Sequence, residues 1–429
     1  MSASPASLPP RRTPEETLGR RRRQGLGDPQ VRQVVAEILA AVADEGDSAV
    51  RRFGERFDGA RPEPLVLGPD ALHVARRAVS ETLLADLDTA WRRVRAYAAR
   101  FEPPPGAAPR RDADGYLAGE QERPVARAGV YVPAGTAPLV SSVVMTAGVA
   151  AAAGVPDLWM ATPPQRDGSV HPGILAAAAT VGVDHVLCAG GAQAVGALAF
   201  GTESVEPVDV IAGPGNAYVT EAKRQVFGIV GIDGIAGPSE VVVVVDLSAD
   251  PERAAYDLLA QAEHDRQAWP VLVSVGEQAG ARVCEAVARL LPTLPRREIA
   301  AAALAGGAWL VADDPAAAAE LAGRLAPEHL ELYVAQPERC LEHVAAAGAV
   351  FLGGMPETMG DYVVGPSHVL PTGGAARFSG PLNVAAFRTR MSVLAAPDGG
   401  LGALGEAAVR LARVEGLEAH ARAAEARLR

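Results

Sequence analysis

Four short clusters of nitrogen and oxygen donors lie in the second half of this 429-residue chain. The clusters are Gln261-Ala262-Glu263-His264, Pro327-Glu328-His329, Gly360-Asp361-Tyr362 with His368 beyond it, and Glu415 with His420. Four of the eight histidines of the chain fall in them. Imidazole, carboxylate and amide groups bind divalent metals, and imidazoles also carry protons near neutral pH. The clusters therefore predict one composite site built late in the chain.

Gln261 and His264 lie three residues apart in a segment predicted to be helical. That spacing places two β-carbons roughly 5–6 Å apart on one helix face, which suits two ligands of a single metal ion. Glutamine is an uncommon zinc ligand, and a polar patch at a helix end would have the same spacing. The pair alone leaves both interpretations open.

The other three clusters are also ambiguous when each is taken alone. Asp361 follows a predicted strand, where a carboxylate can meet a metal, but a loop aspartate in an Asx-turn would look the same. Glu328 and His329 suit proton transfer, although a histidine near a helix C-terminus is equally ordinary. Glu415 and His420 are about 140° apart around a helix, so spacing alone makes them solvent-facing.

Three glycine-containing loops each follow a predicted strand and open a predicted helix. The loops are Tyr131–Thr136, Gly190–Gln193 and Gly213–Asn216. Glycine lets backbone N–H groups approach an anion at a helix N-terminus. Plain strand-to-helix connections would have the same composition, and none of the loops has the G-x-G-x-x-G pattern of dinucleotide-binding folds.

Composition excludes several classes of function. The net charge of −11 disfavours general nucleic-acid binding, and the apolar runs are too short to cross a bilayer. Lys223 is the one lysine among 40 basic residues, so no phosphate loop of the Gly-Lys-Ser/Thr type exists; this lysine is predicted to make a surface or loop contact. The three widely spaced cysteines are predicted to be buried free thiols of a cytoplasmic protein.

Hydrophobic periodicity divides the chain into five segments. These are a disordered Arg-rich tail (1–28), a helical region (29–125), two strand–helix alternating domains (126–238 and 239–382) and a helical C-terminal segment (383–429). The predicted strands are 128–132, 157–161, 184–188, 208–212, 240–246, 270–275, 308–312, 331–334 and 349–352. Such alternation is typical of an α/β fold with parallel sheets. Periodicity leaves open whether the C-terminal segment packs on its own chain or on another subunit.

Taken together, several strings of the chain resemble the histidinol dehydrogenase family. The strings are Gly190–Ala194, Leu198–Ser204, Gly213–Asn216, Thr220–Arg224, Ala236–Glu240, Gln261–His264, Pro327–Leu330 and His368–Thr372. The resemblance runs from about residue 30 to the end. Three positions depart from the family pattern: the family often has Gly, Asn and Ser where this chain has Ala134, Ser367 and Gly380. None of the three is a proposed ligand.

The resemblance implies a zinc-assisted, NAD-dependent, four-electron oxidation of L-histidinol to L-histidine through bound L-histidinaldehyde. It implies two incomplete Rossmann-like domains and a homodimer with shared active sites. The implied roles are zinc ligands (Gln261, His264, Asp361, His420), proton transfer (Glu328, His329), NAD contacts (Tyr131, Gln193, Asn216) and substrate contacts (Ser239 and Glu415, with His329 and the zinc ligands). In this family, the residues matching Glu415 and His420 come from the partner subunit.

Four other functions compete with this one. An aldehyde dehydrogenase would use a cysteine nucleophile, and Cys188 stands at a predicted strand end. A related oxidoreductase would act on another alcohol, and a zinc hydrolase would ignore NAD⁺. A non-catalytic binding protein would not need metal ligands, a base and nucleotide loops together.

Overall fold

The computed structural model describes residues 8–21, 28–101, 108–134 and 138–428. Its strands are β1 Val66–Leu67, β2 Arg110–Arg111, β3 Leu117–Pro124, β4 Ala128–Tyr131, β5 Leu158–Thr162, β6 His185–Cys188, β7 Val210–Ala212, β8 Gly231–Ile232, β9 Glu240–Val245, β10 Trp269–Val275, β11 Ala308–Ala312, β12 His329–Tyr333, β13 Ala349–Leu352 and β14 Arg388–Ala395. The nine strands predicted from the sequence are all present, with ends within two residues of the prediction.

The α-helices lie between and around these strands. They are α1 Pro14–Arg21, α2 Pro29–Glu45, α3 Asp47–Phe57, α4 Pro69–Ala78, α5 Glu81–Ala98, α6 Val140–Ala152, α7 Pro172–Val181, α8 Gly191–Phe200, α9 Ala217–Val226, α10 Pro251–Ala262, α11 Glu277–Leu290, α12 Arg297–Gly306, α13 Pro315–Leu325, α14 Pro337–Leu341, α15 Glu357–Met359, α16 Gly402–Val414 and α17 Glu418–Glu425. Short 3₁₀ turns span Ala99–Phe101, Leu291–Thr293, Ala375–Arg377 and Val384–Phe387, and one π-helical turn spans Gly360–Val364. No described helix is long and apolar enough to cross a membrane.

The first sheet has the strand order β1-β6-β5-β4-β7-β8. Its strands run parallel except for β1, which pairs antiparallel with β6 at the edge. All residues of β4 and β5 are buried, as expected for central strands covered by helices on both faces. The carboxyl ends of β4, β6 and β7 lead into the three glycine-containing loops.

The second sheet is parallel throughout, with the order β11-β10-β9-β12-β13. The five valines Val241–Val245 are fully buried in β9, which confirms the prediction of a central strand. β8 ends at Ile232 and β9 begins at Glu240, so the chain passes from the first sheet to the second between these two residues. The α/β fold with two parallel sheets is therefore confirmed.

The N-terminal segment contains a helix within the predicted disordered tail. Thr13 and Glu16 form a capping box, in which each side chain accepts from the other residue's backbone N–H at 3.2 and 3.0 Å. Before the helix, the N–H of Trp309 at the edge of the second sheet donates to Pro10 O at 2.9 Å. The prediction of disorder is therefore wrong for residues 8–21, because capping and edge pairing order this segment. Residues 1–7 and 22–27 lie outside the described part of the chain.

The described residues form two compact units. The first contains Met1–Arg100 and Ala126–Phe387, and the second contains Phe101–Val125 and Arg388–Arg429. In the second unit β14 pairs antiparallel with β3 over eight residues, from Arg388 opposite Pro124 to Ala395 opposite Leu117. The segments 29–125 and 383–429, both predicted to be helical, thus also contribute strands and are divided differently. The reason is that β3 and β14 are largely exposed and form no buried apolar run.

Candidate active site

The adjacent central strands β9 and β12 place acidic and basic groups together at their first residues. Glu240 begins β9 and His329 begins β12, and His329 lies opposite Val241 in the parallel register. The chain after β13 runs back along the face of β12. There the Glu357 N–H donates to Glu331 Oε1 at 3.2 Å, and Asp361 lies beside His329. Asp361 therefore lies near the amino ends of β9 and β12, not at the carboxyl edge that the sequence suggested.

His329 is surrounded by carboxyl groups and is almost fully buried. Its Nδ1 lies 3.1 Å from Glu240 O, and its Nε2 lies 3.5 Å from Asp361 Oδ1. Burial opposes a charge on the ring, but Glu328, Asp361 and Glu357 outweigh it and raise the pKa of His329 well above its usual value. Because a carbonyl oxygen only accepts, Nδ1 carries a proton in both forms of the ring. The raised pKa makes the doubly protonated ring the main form near neutral pH; in the neutral ring, Nε2 holds the lone pair.

Glu328 and Glu240 hold each other in place across the two strands. The Glu240 N–H donates to Glu328 Oε2 at 2.9 Å, and the Glu328 N–H donates to Glu240 Oε2 at 3.3 Å. Burial raises the pKa of Glu328 to about 8; His329 lowers it and Glu240 raises it further. A carboxyl group with a pKa near neutrality can both accept and release a proton.

Gln261 reaches this cluster from α10. Asp250 caps the helix by accepting from Glu252 N–H, and Pro251 occupies the first turn. In the amide orientation that satisfies its neighbours, the Gln261 nitrogen donates to Glu357 Oε1 at 3.1 Å. The Gln261 oxygen lies 2.8 Å from Glu240 N and shares its one N–H with Glu328. The oxygen keeps a second lone pair, which is the donor that a metal needs.

His264 lies just beyond the end of α10, in a turn where its N–H bonds to Gln261 O at 3.3 Å. The two predicted ligands are therefore close in the chain, but Gln261 is buried and His264 is exposed. Burial opposes ionisation of Asp361, yet His329, then His368 and His264, outweigh it and lower the pKa of this carboxyl. These interactions place Gln261, His264 and Asp361 around one region of the first unit.

The donors from this chain fit a zinc ion in type: an amide oxygen, an imidazole and an ionised carboxylate. Among the described residues, no three His, Cys, Asp or Glu side chains lie close enough to form a metal site. This unit therefore offers three donors, one of them a glutamine, and a four-coordinate site would need one further ligand. His420, the predicted fourth ligand, and Glu415 are exposed in the second unit.

Two further groups of residues lie at the site, although the sequence assigned them no role. The first group surrounds His368. His368 Nδ1 lies 2.9 Å from Asp361 O, and its Nε2 lies 3.3 Å from Ser142 Oγ. Ser367, a departure from the family pattern, is buried and donates to Met145 O at 2.7 Å, so it supports the loop that carries His368. The string His368–Thr372 marked this loop, whereas Ser142 gave no local signal.

A second layer of buried carboxyl groups lies behind Gln261 and His329. Burial raises the pKa of Glu357 to about 8, and burial together with Asp257 and Glu357 raises the pKa of Glu331 well above its usual value. Asp257 is one helical turn before Gln261, and Glu331 is two strand residues after His329. These carboxyls gave no motif, because their partners lie on different elements.

The predicted NAD contacts lie at the carboxyl end of the first sheet. Tyr131 ends β4, and its hydroxyl accepts from Gly191 N–H at 3.1 Å. Burial raises the pKa of Tyr131 to about 12, so its hydroxyl stays protonated. Gln193 is buried on α8, and neither of its side-chain amide atoms has a hydrogen-bond partner among the described residues. Asn216 caps α9 by accepting from Tyr218 and Val219 N–H at 3.0 and 3.1 Å.

One cavity of about 1830 Å³ joins part of the nucleotide region to the acid–base cluster. Asn216, Ser239, His264, Glu328 and His368 all line it. Tyr131 and Gln193 are not in this lining, although the side-chain amide of Gln193 has no hydrogen-bond partner among the described residues. The first unit thus brings together predicted nucleotide, substrate and proton-transfer residues. Residues 135–137, in the first glycine-containing loop, lie outside the described part of the chain.

Cys188 does not have the environment of a nucleophile. Its side chain is 3% exposed, and burial raises the pKa of the thiol to about 12. A reactive cysteine needs a thiolate and access for its substrate. The structure therefore argues against an aldehyde dehydrogenase that uses Cys188.

Comparison with known proteins places the chain in a family. A family model described as histidinol dehydrogenase matches residues 21–428. The chain is 48% identical over 410 residues to the histidinol dehydrogenase of Pseudomonas aeruginosa, covering 94% of this chain and 92% of that protein. It is 49% identical over 397 residues to that of Moorella thermoacetica, covering 92% and 93%.

A solved structure agrees in fold as well. The crystal structure of histidinol dehydrogenase from Elizabethkingia anophelis superposes with a TM-score of 0.92 at 32% sequence identity, covering 98% of both chains. The matches in sequence and structure extend over nearly the whole chain, including every donor cluster described above. The chain therefore belongs to the histidinol dehydrogenase family.

Proposed function

We propose that this chain oxidises L-histidinol to L-histidine through bound L-histidinaldehyde, reducing two molecules of NAD⁺. The observation that carries the proposal is the buried Glu328–His329 pair beside a cavity that extends to Asn216 at the start of α9. A dehydrogenase needs a base next to the reacting carbon and a nucleotide within reach of it. Family membership supplies the substrate and the oxidant.

We assign Gln261, His264 and Asp361 as zinc ligands, with His420 of a second subunit as the fourth. When bound, Zn²⁺ would supply positive charge that anchors the amine and imidazole nitrogens of the substrate. Ser239 and Glu415 would make further substrate contacts. Tyr131, Gln193 and Asn216 would contact NAD, and the unpaired amide of Gln193 supports this role.

His329 would act as the base in both oxidations. In its neutral form, Nε2 accepts the hydroxyl proton while a hydride leaves the same carbon for NAD⁺, which gives the aldehyde. After His329 has released the first proton to solvent, Glu328 takes a proton from water as the water adds to the aldehyde. The resulting anion of the hydrate loses a second hydride to the second NAD⁺, and the carboxylic acid so formed gives its proton to His329. The hydrogen bond between His329 Nδ1 and Glu240 O keeps Nε2 available for each transfer.

We further propose a cytoplasmic homodimer. The three cysteines of the chain are free and buried, as in proteins of a reducing compartment. The exposed Glu415 and His420 are available to a neighbouring subunit. The composition also makes nucleic acid an unsuitable partner.

The decisive measurement is the yield of NADH per L-histidinol consumed, with and without a chelator. Two NADH per substrate, abolished by chelation and restored by zinc, is the expected result, because alcohol to acid is a four-electron oxidation. One NADH per substrate would identify a simple alcohol dehydrogenase. Turnover of an ester or amide without NAD⁺ would identify a zinc hydrolase.

Replacing Glu328 by glutamine is expected to separate the two oxidations. The amide keeps the shape of the side chain but cannot take a proton from water, so oxidation of L-histidinaldehyde should fall by about 10²-fold or more. Formation of the first NADH from L-histidinol, followed by stopped flow, should fall much less. An equal loss in both steps would contradict a role limited to hydration.

A further inference from the structure

The one lysine of the chain is buried, although 39 of the 40 basic residues are arginines (40 less Lys223). Lys223 lies on α9 and is 2% exposed, so the sequence-based expectation of a loop contact is right and that of a surface position is wrong. Arginine serves wherever else the chain needs a cation. Lys223 is therefore the one position at which the chain has an ammonium group in place of a guanidinium.

Lys223 and Asp233 form a buried ion pair whose side chains are 3% and 5% exposed. The pair encloses Gly213, the first residue of the loop 213–216. Lys223 Nζ donates to Gly213 O at 2.9 Å, and Asp233 Oδ2 accepts from Gly213 N–H at 2.8 Å. Lys223 therefore binds the carbonyl of Gly213, and its ion-pair partner Asp233 binds the N–H of the same glycine.

The bound glycine has little freedom to move. Gly213 has a φ of +119°, and a β-carbon there would lie 2.2 Å from Tyr131 O. The loop is thus pressed against the end of β4, and three residues later Asn216 caps α9. Fixing Gly213 therefore restrains the loop that leads to Asn216 and keeps this loop against the end of β4 at Tyr131; Asn216 and Tyr131 are two of the proposed NAD contacts.

The same pair also fixes the start of the segment that leads to the substrate side. Asp233 Oδ1 accepts from Gly234 N–H at 2.8 Å. Further along, Thr220 of α9 donates to Ala236 O at 3.1 Å, and Ser239 lines the cavity. Beyond Gly234 this segment is held by contacts of its own, including the Trp269 N–H that donates to Ser239 O at 2.9 Å, so the ion pair is not expected to set the position of Ser239.

We propose that Lys223 and Asp233 are positioning residues that hold the loop 213–216 in the conformation that binds NAD. The inference rests on the proposed use of NAD by this site. Lysine is required because a compact ammonium fits between Gly213 O and Asp233, whereas the planar guanidinium of arginine is larger and directs its donors in a fixed fork. Loss of one charge leaves the other buried without its partner.

The test compares Lys223→Arg, Lys223→Met and Asp233→Asn with the control Arg289→Lys, which alters an exposed ion pair with Glu252. Binding of NADH to the zinc-loaded protein is followed by fluorescence without histidinol, and the KM values for NAD⁺ and L-histidinol are then measured. All three variants are expected to weaken NADH binding and raise the KM for NAD⁺ at least about tenfold. The KM for L-histidinol should stay within about twofold of wild type, as should every constant of the control.

Unchanged NADH affinity in folded Lys223→Arg and Lys223→Met proteins would overturn the proposal. An equal rise of both KM values, or failure of all three variants to fold, would also overturn it, because the pair would then support the fold in general. If wild-type protein binds NADH but does not oxidise L-histidinol, the proposed reaction is refuted. The inference about Lys223 and Asp233 is then judged by the NADH affinities of the variants alone.

Discussion

Replacing His329 by alanine is expected to lower kcat by about 10²–10⁴-fold, the usual contribution of a positioned general base. The ring is buried, its Nδ1 is held by Glu240 O, and its Nε2 has no hydrogen-bond partner among the described residues. Alanine removes the proposed acceptor of the proton that each of the two oxidations releases from the substrate. The proposed zinc ligands remain, so the metal should stay bound.

The measurement combines kcat for L-histidinol with the zinc content of the purified protein. His343→Ala is the matched control, because that histidine is exposed and pairs with Glu320 away from the site. It should keep kcat near the wild-type value. Near-normal turnover by His329→Ala would reject the role of this residue, and loss of zinc would show that it acts through the metal site.

Mixed dimers are expected to regain activity from two inactive chains. Asp361→Ala and His420→Ala homodimers should each lose at least about a hundredfold in activity, because a shared zinc site would lack one ligand. When the two chains are co-expressed, one site of each heterodimer has all of its ligands. Random pairing should therefore restore about a quarter of wild-type activity, since half of the dimers are mixed and half of their sites are complete.

The control pair for this experiment is Asp361→Ala with His264→Ala. Both changes fall in the first unit, so every site of their heterodimer lacks a ligand and activity should stay low. If this control pair regains activity, then activity can return without a site that has all of its ligands, and the mixed-dimer result would not show a shared site. If Asp361→Ala with His420→Ala restores nothing although mixed dimers form, His420 serves the site of its own chain or no site.

Hydrophobic runs determined where the buried strands lie, and glycine-containing strings determined where the loops follow them. The Val241–Val245 run predicted a central strand, and this prediction is confirmed, because a strand covered on both faces must be apolar at every position. The types of donor in the four clusters also indicated a metal and an acid–base pair. Spacing could not arrange them, because α10 ends at Ala262, before His264. The predicted 140° between Glu415 and His420 is also wrong, because α16 ends at Val414 and His420 lies on the separate helix α17.

Only the tertiary structure decided which of these groups meet. The order β9-β12 brings Glu240 to Glu328 and His329, 88 and 89 residues further along the chain. The return of the chain after β13 brings Asp361 and Glu357 to His329, and the fold of the first sheet encloses Lys223 with Asp233. Local patterns record periodicity within one element. The contacts that tune these side chains join different elements, and they depend on strand order and on the path of each loop, which no local pattern specifies.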